Sequence, residues 1–122
     1  MAIHESGEDY LEAILMIKKR SGNVRSIDVA RELSFSKPSV SVAMKNLKTS
    51  NYITVDKNGF INLTEAGQEI ADKIYERHTF LTNWLTSLGV DPEVAAEDAC
   101  KMEHAISSES FSAIKKFVAD TH

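Results

Sequence analysis

The densest run of chemically capable side chains in this chain is Cys100-Lys101-Met102-Glu103-His104. An α-helix turns once every 3.6 residues, so positions i, i+3 and i+4 share a face, and Cys100, Glu103 and His104 point the same way on a helix. Near the other end, Asp9 and Glu12 stand in the i, i+3 relation within Glu8-Asp9-Tyr10-Leu11-Glu12-Ala13-Ile14, a segment of helical pattern. His78, in Tyr75-Glu76-Arg77-His78, is a sixth candidate. Thiolate, carboxylate and imidazole together suit a divalent transition metal better than calcium. Taken singly, each residue has a plainer reading: a lone Asp or Glu on a helix is ordinarily a solvated charge, and a lone Cys a small buried apolar residue. Two same-face clusters and a histidine in one short chain are what point to a metal site.

Other elements must position those ligands, and the bulk composition bounds what they are. A chain of 122 residues is one domain or two small ones, and 43% apolar residues suffice to bury a core. The single cysteine excludes an internal disulfide framework and fits a reducing cytoplasm. Met1 to Ser6 has neither a basic start nor an apolar run, and no later run approaches the roughly 20 apolar residues of a membrane span. A cytoplasmic protein with no membrane partner is expected. The formal net charge of −4 hides a polarity: residues 1–63 carry nine Lys or Arg against seven Asp or Glu, residues 64–122 five against eleven. Between Lys18 and Lys57 there are nine basic and three acidic residues, the asymmetry of a nucleic-acid-facing front and an acidic rear.

In chain order, Tyr10, Leu11, Ile14, Leu15 and Ile17 recur at helical spacing and predict a helix from Ser6, its N-cap, to about Arg20, ended by Ser21-Gly22-Asn23. Ser26 is the expected cap of a short second helix with Ile27, Ala30 and Leu33 on its buried face. After the turn Ser34-Phe35-Ser36, Pro38 suits the first turn of a third helix that runs to about Ser50. Val40, Met44 and Leu47 give that helix a buried stripe and leave Ser39, Ser41, Val42, Lys45 and Lys48 outside. A short helix, a tight turn and a helix with a small, hydroxylated and basic outer face describe a helix-turn-helix whose second helix enters the major groove. Tyr52 to Val55 and Phe60 to Leu63 alternate as strands around Lys57-Asn58-Gly59, a hairpin that reads as a wing.

Thr64 caps a long helix expected to pass through His78 to Leu88 and to stop at Gly89. Asp91-Pro92-Glu93 opens the helix that carries Cys100, Glu103 and His104, and a last helix begins near Ser107 or Ser108. Phe111, Ile114, Phe117 and Val118 form an apolar face on it, read as a dimer surface with an intrachain core as the competing explanation. The expected fold class is mainly α with a small β-hairpin: a winged helix-turn-helix DNA-binding domain over 1–63 and a helical metal-binding and dimerisation domain over 64–122.

With these elements in order, the chain resembles the metal-dependent repressors of the diphtheria toxin repressor family, especially the two-domain manganese transport regulator branch. The likeness covers nearly the whole chain. It rests on Glu8-Asp9-Tyr10-Leu11-Glu12, the Arg77-His78 pair, Leu88-Gly89-Val90-Asp91, and the run from Asp98 through Cys100, Glu103 and His104 to Ser107. The resemblance implies a winged helix, a helical dimerisation domain and metal bound between them by Asp9, Glu12, His78, Cys100, Glu103 and His104, the six that spacing also suggests. Cys100 follows the iron-responsive branch, whereas Asp9 follows the manganese branch, so hard and soft donors mix. Thr82 and Ala96 stand where the iron branch completes an ancillary site, and the chain ends at His122 without that branch's SH3-like third domain. Both lean towards Mn²⁺, with Fe²⁺ the alternative.

The expected function is therefore a metal-dependent, homodimeric transcriptional repressor of metal homeostasis genes, not an enzyme, acting on a palindromic double-stranded operator. Its DNA-contacting residues are predicted to be Arg25, Lys37, Lys45 and Lys48 on phosphates, Ser39 and Ser41 on phosphates or base edges, Val42 on a thymine methyl, with Pro38 and the wing's Lys57 in the same interface. One rival is a metal-independent winged-helix regulator that senses a small organic ligand. The other, a metal-dependent hydrolase, lacks a His-Glu-x-x-His motif, a nucleophile elbow and a phosphate loop, and would leave the basic segment unexplained.

Overall fold

The computed structural model describes residues 5–121, with side chains for 7–120. Among them are six helices and one two-stranded antiparallel hairpin, in two compact units, Met1–Asp72 and Lys73–His122. The first unit opens with α1 (Glu5–Ser21), whose Tyr10, Leu11, Ile14, Leu15 and Ile17 are all buried, as their spacing requires. Ser6 lies inside α1 and not before it, so it is not the helix's N-cap, and its side chain is outside the described residues. Gly22 ends the helix at φ 86°, its N–H donating to the Lys18 carbonyl at 2.8 Å.

Helix α2 (Ser26–Leu33) is capped by Arg25, one residue earlier than expected, because the Asp28 carboxylate reaches back to accept from the Arg25 backbone N–H at 2.9 Å. The buried face of α2 accordingly centres on Val29 and Ala30, while Ile27, expected inside, lies to one side and is 39% exposed. Ser36 caps α3 (Lys37–Thr49), accepting from the Ser39 N–H at 3.3 Å, and Pro38 sits in the first turn where no intrahelical donor is needed. Val40, Met44 and Leu47 are buried against the unit's core.

The hairpin, β1 (Ile53–Val55) and β2 (Ile61–Leu63), pairs Ile53 with Leu63, Thr54 with Asn62 and Val55 with Ile61. Each strand is one residue shorter than the alternation predicts. Tyr52 is occupied by the Leu47 carbonyl and the Thr64 N–H, and the Phe60 N–H donates to the Asp56 carboxylate. Ile61 N–H also donates to the Val24 carbonyl at 2.7 Å, which ties the wing to the chain entering α2. Thr64 caps α4 (Glu65–Ser87) as expected, accepting from the Gly67 N–H at 3.1 Å. Gly67 is required there by close approach: a Cβ would run into the Tyr52 carbonyl.

In the second unit α4 ends at Ser87, one residue before the expected Leu88, and Gly89 at φ 101° turns the chain. Asp91 accepts from the Glu93 N–H at 3.2 Å and opens α5 (Pro92–Ala105). Ser107 accepts from the Ser110 N–H at 3.1 Å and opens α6 (Ser108–Thr121). The unit's core is Leu81, Ala99 and Phe111, with Phe80, Trp84, Met102 and Ile106 packed on it. Phe111 therefore serves the intrachain core and not a dimer surface; edge-to-face contact with Phe80 at 5.5 Å fixes it. Of the same predicted face, Phe117 is 65% exposed. No helix among the described residues is long and apolar enough to cross a membrane.

Candidate metal centre and nucleic-acid interface

Helix α1 carries Asp9, half-buried, and Glu12, only 8% exposed, one turn apart. An ionised carboxylate at that depth needs compensation by hydrogen bonds or a cation. Between them, burial and, second, the Asp9 charge hold the Tyr10 hydroxyl above its ordinary value, so the phenol stays neutral.

In the second unit, α4 and α5 bring four of the predicted ligands together. The ligand atoms of Cys100, Glu103 and His104 lie within 4.8 Å of one another. Glu103 is fully buried. Its Oε2 is 2.9 Å from His78 Nδ1, a hydrogen bond when that nitrogen carries the proton. Its Oε1 lies 3.4 Å from His104 Nε2, within ion-pair range, yet has no hydrogen-bond partner. A buried carboxylate oxygen left without a donor, beside two imidazoles and a thiol, fits a divalent transition metal, which would supply the missing positive charge. Cys100 is exposed, so the plainer reading of it as a buried apolar residue does not hold.

Spacing did not single out Arg77, which is buried and donates to the carbonyl oxygens of Glu103 (3.0 Å) and Ile106 (2.8 Å) and to Ser108 Oγ (3.0 Å). The one signal in the sequence was its place beside His78 on a helix that is otherwise apolar on that side.

The first unit presents the predicted DNA-facing residues on one helix and its flanks. Ser39, Ser41, Val42, Lys45 and Lys48 are exposed on α3, Val42 at 61%, and Lys37 and Pro38 are exposed in its first turn. Ser39 Oγ accepts from the Ser36 hydroxyl at 2.8 Å and keeps its own proton to donate elsewhere. Arg25 is exposed with its guanidinium 4.5 Å from the centre of the Phe60 ring, and Lys57 is exposed on the wing's turn. Ile27, which sequence reasoning placed inside, lines a groove of about 270 Å³ with Ser26, Lys37 and Ser41.

A winged helix-turn-helix followed by a helical unit that gathers a thiol, two imidazoles and a buried carboxylate defines a metal-responsive DNA-binding regulator. Residues 2–60 match the model of the iron dependent repressor N-terminal DNA binding domain, and residues 64–122 that of the iron dependent repressor metal binding and dimerisation domain. The chain belongs to the iron-dependent repressor family. It is similar to the transcriptional regulator MntR of Escherichia coli O157:H7, 36% identical over 110 residues that make up 90% of this chain and 71% of the relative. An HTH-type transcriptional regulator of Methanocaldococcus jannaschii is 36% identical over 116 residues, 93% of each chain. Among solved structures, the manganese regulator SloR superimposes with a TM-score of 0.82 at 28% identity over 98% of this chain, which spans 55% of that protein's length.

Proposed function

We propose that the chain is a cytoplasmic, homodimeric, metal-sensing transcriptional repressor that binds a palindromic operator when Mn²⁺ is plentiful, with Fe²⁺ as the alternative effector. The observation that carries this reading is the buried Glu103 carboxylate, with one oxygen lacking a donor, among His78, His104 and Cys100. Asp9 and Glu12 complete the proposed ligand set from α1, the helix on which the DNA-binding unit is built. The functional boundary is placed before Thr64, with residues 1–63 for DNA and 64–122 for metal and dimerisation. If Asp9 and Glu12 join the ligands of the second domain, a bound ion would offset their charge and would favour one arrangement of the recognition helices. Such an effect would work only through differential affinity for that arrangement, and a change of 10- to 100-fold in operator affinity needs only about 1.4 to 2.7 kcal/mol. Similarity to the manganese regulator SloR supports Mn²⁺, and Asp9 would supply the hard oxygen that it favours. Equilibrium dialysis of chelator-treated protein against Mn²⁺ separates this reading from a regulator that senses an organic ligand: retention of the ion is expected, and none at all would refute it.

In the DNA interface, Ala at Lys45 or Lys48 is expected to weaken binding to operator and unrelated DNA alike and to lower the salt dependence by about one ion per lysine removed. Val42→Ala should instead reduce discrimination between operator and unrelated sequence. Fluorescence anisotropy over a salt series on both DNAs checks this. Unchanged discrimination in Val42→Ala, with altered discrimination in Lys48→Ala, would reverse the assignment.

A further inference from the structure

We infer that Arg77 is a positioning residue for the metal ligands, an inference that rests on the metal reading of the site. Glu103 is held twice from α4: by its carbonyl oxygen through Arg77 Nη1 at 3.0 Å, and by its carboxylate near His78 Nδ1 at 2.9 Å. The last carbonyls of a helix have no intrahelical partner, and α5 ends at Ala105 with Ile106 as its cap. Arg77 takes up two carbonyls of that terminus, those of Glu103 and Ile106, and its second nitrogen binds Ser108 at the start of α6. One planar fork thus ties α4 to the final turn of α5, which bears Glu103 and His104, and to the first turn of α6.

All three acceptors are neutral, and the guanidinium lies 5.4 Å from the Phe111 ring centre. Among the described residues no carboxylate pairs with Arg77, and burying a cation in that way costs desolvation that an apolar side chain of the same size would avoid, so packing alone does not account for an arginine here. The carbonyl end of α5 offers the partial negative charge that suits it. The Arg77 grip is on the backbone, so it would hold the turn that bears Glu103 and His104 whatever their side chains bind. Lysine's three N–H donors share one nitrogen, so it has no planar fork to reach acceptors on α5 and α6 together.

The test is a Mn²⁺ titration of chelator-treated wild type, Arg77→Lys and Phe111→Leu, reading free ion by electron paramagnetic resonance, with a thermal melt of each metal-free protein. Phe111→Leu weakens packing in the same cluster and removes the ring beside the guanidinium, but leaves the three hydrogen-bond acceptors of Arg77 in place. Arg77→Lys is expected to remain helical and to bind Mn²⁺ about 10- to 100-fold more weakly, the usual loss for a residue that orients a ligand. Phe111→Leu should melt earlier and keep the wild-type affinity. Wild-type affinity in Arg77→Lys, or an equal loss in Phe111→Leu, overturns the inference alone. A wild type that takes up no Mn²⁺ overturns the reading of the site as well.

Discussion

Glu103→Gln is expected to abolish metal-dependent operator binding while the protein stays folded. Glutamine keeps the shape and one carbonyl-type oxygen, so the hydrogen bond from His78 persists, but the negative charge is gone. That charge sits at 0% exposure, with His78 and His104 on either carboxylate oxygen, and Cys100 shares the cluster. Loss of a group that merely orients a ligand costs about 10- to 100-fold in metal affinity, so loss of the central anion is expected to exceed roughly 100-fold. The same substitution removes an ionised group from the interior. Metal-free Glu103→Gln should therefore melt no earlier than the metal-free wild type, and later where the amide finds partners, since a buried carboxylate carries a desolvation cost. Calorimetric Mn²⁺ titration with parallel melts in chelator reads both effects. A lower melting temperature with undiminished Mn²⁺ affinity would make Glu103 a structural residue and not a ligand.

The second large effect is on metal choice and follows from the mixture of donors. Asp9 supplies hard oxygen and the exposed Cys100 soft sulfur to the proposed site. Asp9→Met leaves sulfur-rich coordination, so the response is expected to move from Mn²⁺ towards Fe²⁺ or Co²⁺. Cys100→Glu should narrow it towards Mn²⁺. Thiolate ligation also requires loss of the sulfur proton, so wild-type metal binding should release a proton and weaken as pH falls, and Cys100→Glu should flatten that dependence near neutral pH. Operator occupancy measured over Mn²⁺, Fe²⁺, Co²⁺ and Zn²⁺ distinguishes the variants. An unchanged order of metals in Cys100→Ala would take the thiol out of the site.

The parts of this design that follow a period were legible in the sequence. Val40, Met44 and Leu47 fall on one face of α3 and are buried, and Cys100, Glu103 and His104 fall on one face of α5 and gather their ligand atoms. What depended on partners far along the chain was not legible. Arg77 finds its acceptors 26, 29 and 31 residues away, two of them backbone carbonyls, which carry no residue-type signal. Phe111 belongs to a face that looks self-complementary in one dimension, and only the placement of Leu81 and Ala99 turns it inward. Element ends slipped by a residue where a side chain outcompeted the backbone pattern: Asp28 drew the start of α2 back to Arg25, and Asp56 took the Phe60 N–H out of the hairpin ladder.

Anisotropy of a labelled operator fragment titrated with this protein, first in chelator and then with Mn²⁺ restored, tests whether the metal controls DNA binding. Weak, salt-sensitive binding is expected in chelator and operator-selective binding about 10- to 100-fold tighter with Mn²⁺, a gain absent in Glu103→Gln. Equal operator affinity with and without Mn²⁺ in the wild type would contradict such control.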